Sequence, residues 1–169
     1  SVSRLAINRL SDRVRTSWAR AERTKLDLPP SFSRLFVVVG YKRIEAPIGA
    51  YIAAHYHNVI EVGIGRNTDV AALCARAGLR VRATDIREPP EVPGVESRVD
   101  DVYAPDLPWY AGADLVYAVR PGVEMVPPLI DLARAIGCDL IVYHLGNEIY
   151  ENGGEIIDCW PVLHRYYRL

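Results

Sequence analysis

Glutamine is absent from the 169 residues, and methionine occurs once. With twelve prolines, this depletion of thermolabile side chains points to a thermophilic source. No apolar run reaches the roughly 20 residues that a membrane-spanning helix needs, so no membrane partner is expected. The first apolar-rich segment is studded with arginine, which argues against a secretory leader. Cysteine is scarce: Cys74, Cys138 and Cys159 are odd in number, widely spaced and each set among apolar residues. That spacing excludes a disulfide framework and a zinc cluster, and no metal site is expected. Buried free thiols in a reducing cytoplasm are the expectation. Internal repeats and low-complexity tracts are missing too.

What is present is an ordinary globular balance, with 50% hydrophobic and 24% charged residues. The length suffices for one domain with a full core. The net charge of -1 hides a split. Residues 1–43 carry ten Lys/Arg against Asp12, Glu22 and Asp27, giving +7; the remainder carries ten basic and eighteen acidic residues, giving -8. Ile7, Leu10, Val14, Trp18 and Ala21 recur at helical steps, which predicts an amphipathic helix over 3–25 with arginines on its other faces. Residues 1–45 thus read as a basic N-terminal helical extension and 46–169 as the folded body. Such an arm can bind RNA, fold back on its own acidic body, or cross to a second subunit in a homodimer.

The chain is organised around Asn58-Val59-Ile60-Glu61-Val62-Gly63-Ile64-Gly65-Arg66-Asn67-Thr68. Val59, Ile60 and Val62 form a short β-branched run, as in parallel strands covered on both faces. Two glycines follow, where backbone must turn tightly or approach a ligand closely. Asn67 or Thr68 then caps a helix whose free N–H groups face the turn, and Gly78 stops it. A second strand at 80–84 ends at Asp85. Strand, glycine turn, helix, strand and acid make the first half of a nucleotide-binding α/β sheet. The dinucleotide fingerprint G-x-G-x-x-G has Thr68 where a third glycine or alanine belongs, so the pattern for NAD is weak.

Glu61-Val62-Gly63-Ile64-Gly65, Thr84-Asp85-Ile86 and Tyr117-Ala118-Val119-Arg120-Pro121 carry a resemblance over about residues 46–148. The chain resembles a small, functionally uncharacterised archaeal family of Rossmann-like proteins related to class I S-adenosylmethionine-dependent methyltransferases. The resemblance implies S-adenosylmethionine as cofactor. On that reading the turn, with Glu61, Gly63, Gly65 and Asn67, lies under the methionine part. Asp85 holds the ribose hydroxyls, with Ile86 beside it. An acid after the third strand pairs with the adenine amino group; Asp100 and Asp101 both match, Asp101 is preferred, and Val102 packs on the ring. The chemistry fits, since a carboxylate can accept two hydrogen bonds from a vicinal diol.

Alternation of buried strands and helices from 58 to 144 predicts a doubly wound, mostly parallel α/β sheet in the order 3-2-1-4-5. A short helix is expected from Pro47 to Tyr56, a third strand at 96–99, and a fourth at 113–119. A helix over 124–136 should have its real start near Pro127, and a fifth strand is expected at 138–144. Residues 155–167 read as one bent strand or a closing hairpin. The Asn/Asp-Pro-Pro-Tyr/Phe of nucleic-acid amino-group methyltransferases is missing after the fourth strand. Arg120 stands there instead, a cation for a phosphate or carboxylate, or a partner for one of the nearby acids. No side chain announces itself as a base; His144, Glu148 and Arg120 are candidates only as residues at strand ends. Three functions remain open: a methyltransferase, with RNA as one substrate; a non-catalytic cofactor-binding or partner-interaction protein; and another nucleotide-dependent enzyme.

Overall fold

β1 (Asn58–Val62) owes its place to its side chains: four of its five residues are buried, and so apolar a strand must be covered on both faces. It pairs in parallel with β2 (Arg80–Asp85) on one side and β4 (Leu115–Val119) on the other. A computed structural model describes residues 44–169; the expected basic helix over 3–25 lies outside the described residues. β3 (Val95–Val99) adds to β2, and β5 (Asp139–Tyr143) to β4, both in parallel. The chain then closes with a hairpin, β6 (Glu155–Asp158) and β7 (Val162–Tyr167), of which β7 pairs antiparallel to β5. The sheet order is β3-β2-β1-β4-β5-β7-β6. The predicted 3-2-1-4-5 order stands, and of the two readings for the C-terminus the hairpin is the one formed.

Helices cover both faces. α1 (Glu45–His55) and α2 (Asp69–Arg76) lie on one side, where Ile48, Ile52, Val59, Val70, Val81, Leu115, Tyr117 and Ile141 share a buried cluster. The short α3 (Leu107–Tyr110) and α4 (Val126–Ile136) lie on the other, with Ile60, Val62, Tyr110, Val116, Leu129, Leu132 and Val142. Gly49 lets the first pair approach: a Cβ there would sit 3.0 Å from that of Leu73.

One helix start differs from the sequence reading and one agrees with it. α1 begins at Glu45 and not at Pro47, because an acid is favoured in a first turn beside the unpaired N–H groups. α4 begins at Val126, next to the expected Pro127, after a single 3-10 turn at Val123–Met125, since Pro127 and Pro128 can occupy only the N-terminal positions of a helix. Among the described residues no helix is long and apolar enough to cross a membrane.

Candidate functional site

The strand order reverses between β1 and β4, so the C-terminal ends of β1, β2 and β4 open a crevice there. The glycine turn forms its floor. Gly63 and Gly65 have φ of +72° and +56°, backbone that glycine adopts without strain. The N–H groups of Gly63 and Ile64 both donate to Thr84 O, at 2.8 and 3.1 Å, which hooks the turn onto the end of β2. Asp85 completes the hook: Oδ2 accepts the Gly65 N–H at 2.8 Å and Oδ1 accepts that of Arg87 at 3.1 Å. Sequence reading had paired the turn and the acid by pattern; here they are in direct contact. Ile86, 67% exposed, stands beside Asp85 at the rim.

The N-cap of α2 is Thr68, with no side-chain cap bond; Asn67, one residue earlier, makes an Asx turn and bridges to α1. Its Oδ1 accepts the Asp69 N–H at 3.2 Å, and its Nδ2 donates to Glu45 Oε1 at 2.8 Å. The same Glu45 oxygen meets Arg120 at 3.4 Å. Arg120 takes the left-handed backbone region, φ +55°, with its N–H donating to Tyr143 O at 2.7 Å and its guanidinium over the Tyr143 ring. Of the two roles the sequence left open for Arg120, the ion pair is formed, while 28% of the side chain remains exposed.

Behind the rim lie two expected site residues whose side chains are core members. Glu61 is buried, and its Oε2 accepts the Tyr117 hydroxyl at 2.8 Å. Burial pushes its carboxyl up to about 8, with the Tyr117 bond opposing and Asp69 adding to the rise. Val102 is buried among Tyr110, Val116 and Leu129. Of the two adenine-side acids, Asp100 accepts the Tyr110 hydroxyl at 2.7 Å. Asp101 accepts the Tyr103 N–H through Oδ1 at 3.0 Å, and its Oδ2 has no hydrogen-bond partner among the described residues.

The three catalytic candidates do not converge. Arg120 lies with Glu45 and Tyr143. His144 is turned to the opposite face, its Nε2 2.6 Å from the Tyr166 hydroxyl, and burial, with His164 adding, lowers its pKa. Glu148 is exposed on the loop after β5. A separate apolar cavity of about 220 Å³ lies between the 102–107 loop and α4, lined by Val102, Tyr103, Pro128 and Leu132; it includes none of the glycine turn.

Sequence reading missed Glu45, Tyr143 and Arg82. Arg82 is buried within β2 and donates to the carbonyls of Trp109 and Ala111 and to Asn58 Oδ1. A charged residue between Val81 and Ala83 in a buried strand was its only local signal.

Sheet order, glycine turn and second-strand acid define a Rossmann-like α/β fold. The chain belongs to UPF0146, an uncharacterised protein family whose model matches residues 45–154. A UPF0146 protein of Archaeoglobus fulgidus is 42% identical over 62% of this chain and 81% of its own length. One from Pyrococcus horikoshii is 32% identical over 59% and 79%. Among solved structures, the CcbJ methyltransferase from Streptomyces caelestis has a TM-score of 0.51 at 18% identity, covering 61% of this chain and 52% of that one. The last likeness is one of fold.

Proposed function

We propose that this protein binds S-adenosylmethionine and transfers its methyl group to an anionic acceptor, with RNA the leading candidate. The observation that carries the reading is the contact of Asp85 with the Gly65 N–H at the point of strand reversal. It sets an acceptor carboxylate beside a positive-φ glycine turn. The residues present suit the group. A Cβ on Gly65 would meet nothing within 4 Å, so the space over the turn is open. A carboxylate has about four lone-pair sites, and the two bonds that Asp85 makes leave room for a diol. Asp101 Oδ2 is free for an amino group, and Ile86 offers an apolar surface to a flat ring.

When bound, S-adenosylmethionine supplies a methyl carbon made electrophilic by its sulfonium. The protein's part is positioning. Asp85 fixes the ribose, the turn supports the amino-acid end, and Arg120, pinned by Glu45 and Tyr143, presents cationic surface to the acceptor. A second reading, cofactor binding without catalysis, is favoured by the separation of Arg120, His144 and Glu148.

Calorimetry with S-adenosylmethionine, S-adenosylhomocysteine, NAD and ATP tests the reading. The two adenosyl-amino-acid ligands should bind, and Asp85→Ala should weaken S-adenosylhomocysteine by about 1.5–3 kcal/mol, the usual loss for hydrogen bonds to a charged acceptor. Binding of NAD or ATP alone would sink it. Binding of S-adenosylmethionine with no methylation of RNA or other anionic acceptors would favour the second reading.

A further inference from the structure

Glu45 is fully buried, yet its two oxygens are used unequally. Oε1 takes both donors, Asn67 Nδ2 and Arg120 NH1. Oε2 has no hydrogen-bond partner, and none of the described residues supplies one. A buried carboxylate oxygen without a donor is costly, because water has been stripped from it and nothing replaces it. The surroundings indicate what is missing. Asn67 follows the glycine turn and Arg120 follows β4, so Glu45 joins the two walls that flank the strand reversal. The carboxyl group is therefore held through Oε1 between the two segments that flank the crevice. Its backing is rigid: Asn67 is fixed by the Asp69 N–H, and Arg120 by its backbone bond to Tyr143 and by the Tyr143 ring.

We propose that Glu45 Oε2 is a built acceptor for a primary ammonium group presented in the crevice. The inference rests on the proposed function for its ligand. Arg120 offsets the charge of Glu45, so what Oε2 requires is an N–H donor. A carboxylate shared between a guanidinium and an ammonium also discriminates: it accepts a donor and rejects a donor-free or anionic group placed there. The ammonium can come from the amino-acid end of the cofactor or from an amino group carried by the otherwise anionic acceptor.

Glu45→Gln separates these cases. The amide keeps an oxygen for Asn67 and Arg120 and replaces the empty acceptor by a donor. Wild type and Glu45→Gln are titrated with S-adenosylhomocysteine and with its analogue lacking the α-amino group. Thermal melts then follow methylammonium chloride against sodium chloride, with and without S-adenosylhomocysteine. The expected result is that wild type prefers S-adenosylhomocysteine over the deaminated analogue at least tenfold and that Glu45→Gln abolishes the preference. Equal binding of the two adenosyl ligands, with methylammonium stabilising wild type but not the variant, assigns the ammonium to the acceptor substrate and also supports the site. If S-adenosylhomocysteine binds and no probe separates variant from wild type, the Glu45 inference falls and the cofactor reading stands. If S-adenosylhomocysteine does not bind but methylammonium still discriminates, the reverse holds. If neither binds, both fall. Should the variant fail to fold, equal affinity of wild type for the two adenosyl ligands, with no response to methylammonium, overturns the inference unaided.

Discussion

Glu61 and Tyr117 face each other across β1 and β4 in register, and their hydrogen bond joins two groups that burial keeps neutral. Unfolded, the Glu61 carboxyl titrates near its ordinary 4.5; folded, it titrates at about 8. Between those values the native chain holds a proton that the unfolded chain has lost, so this contribution to stability is complete below about pH 4.5 and is lost as pH rises through 8. Each unit of difference corresponds to about 1.4 kcal/mol, which makes the effect one of a few kcal/mol. Glu61→Gln cannot titrate. Urea melts should therefore show the variant and wild type close at pH 5, with the variant gaining by roughly a few kcal/mol at pH 9. A gap that does not change with pH would mean that Glu61 is charged in the folded protein.

Arg82 works at the scale of the element. It reaches from the middle of β2 to the carbonyls of Trp109 and Ala111, and its guanidinium lies over the Trp109 ring. The segment from α3 to Ala111 is tied to the sheet by this side chain together with the Tyr110 hydroxyl on Thr84 and Asp100 and the Arg98–Asp106 pair. Arg82→Met keeps the apolar stem and leaves three acceptors without their donor, at a cost on the order of 3 kcal/mol. The check is a chemical melt read by Trp109 fluorescence in a background with Trp18 and Trp160 replaced by phenylalanine, in which the Trp109 segment should loosen before the sheet unfolds. Arg82 and Glu45 also show why legibility in the sequence was uneven. The glycine turn, its helix and Asp85 could be read because each step is local: β-branched residues make a strand, and the turn needs positive φ. Arg82 and Glu45 take their roles from partners 22 to 75 residues away, and nothing near them in the chain names those partners. The orientation of His144 was hidden for a related reason: it depends on Tyr166, placed by a C-terminal segment that the sequence left open between a closing hairpin and one bent strand.

For the whole molecule the governing fact is charge. The first 43 residues carry +7 and the remainder -8, a separation that solubility alone does not demand. If the basic segment meets phosphates, affinity for single-stranded RNA should fall with salt with a slope of about 0.7 per phosphate contacted. Deleting residues 1–28 should abolish that binding and leave a folded monomer. Loss of solubility or of a dimer in the deletion would assign the segment to packing, and no RNA binding by the intact protein at low salt would end the RNA proposal. Gly65 links this scale back to the smallest one. The open space over it means that the resting fold has no steric need for a glycine there; only the sign of φ does. Asparagine tolerates that left-handed backbone, so Gly65→Asn should melt within a few degrees of wild type. Its side chain would fill the space over the turn, and the rise in melting temperature that a saturating ligand gives by mass action should vanish. The residue is then silent in the empty protein and decisive in the loaded one, which makes it a switch between folding and occupancy that a pair of melting curves can read.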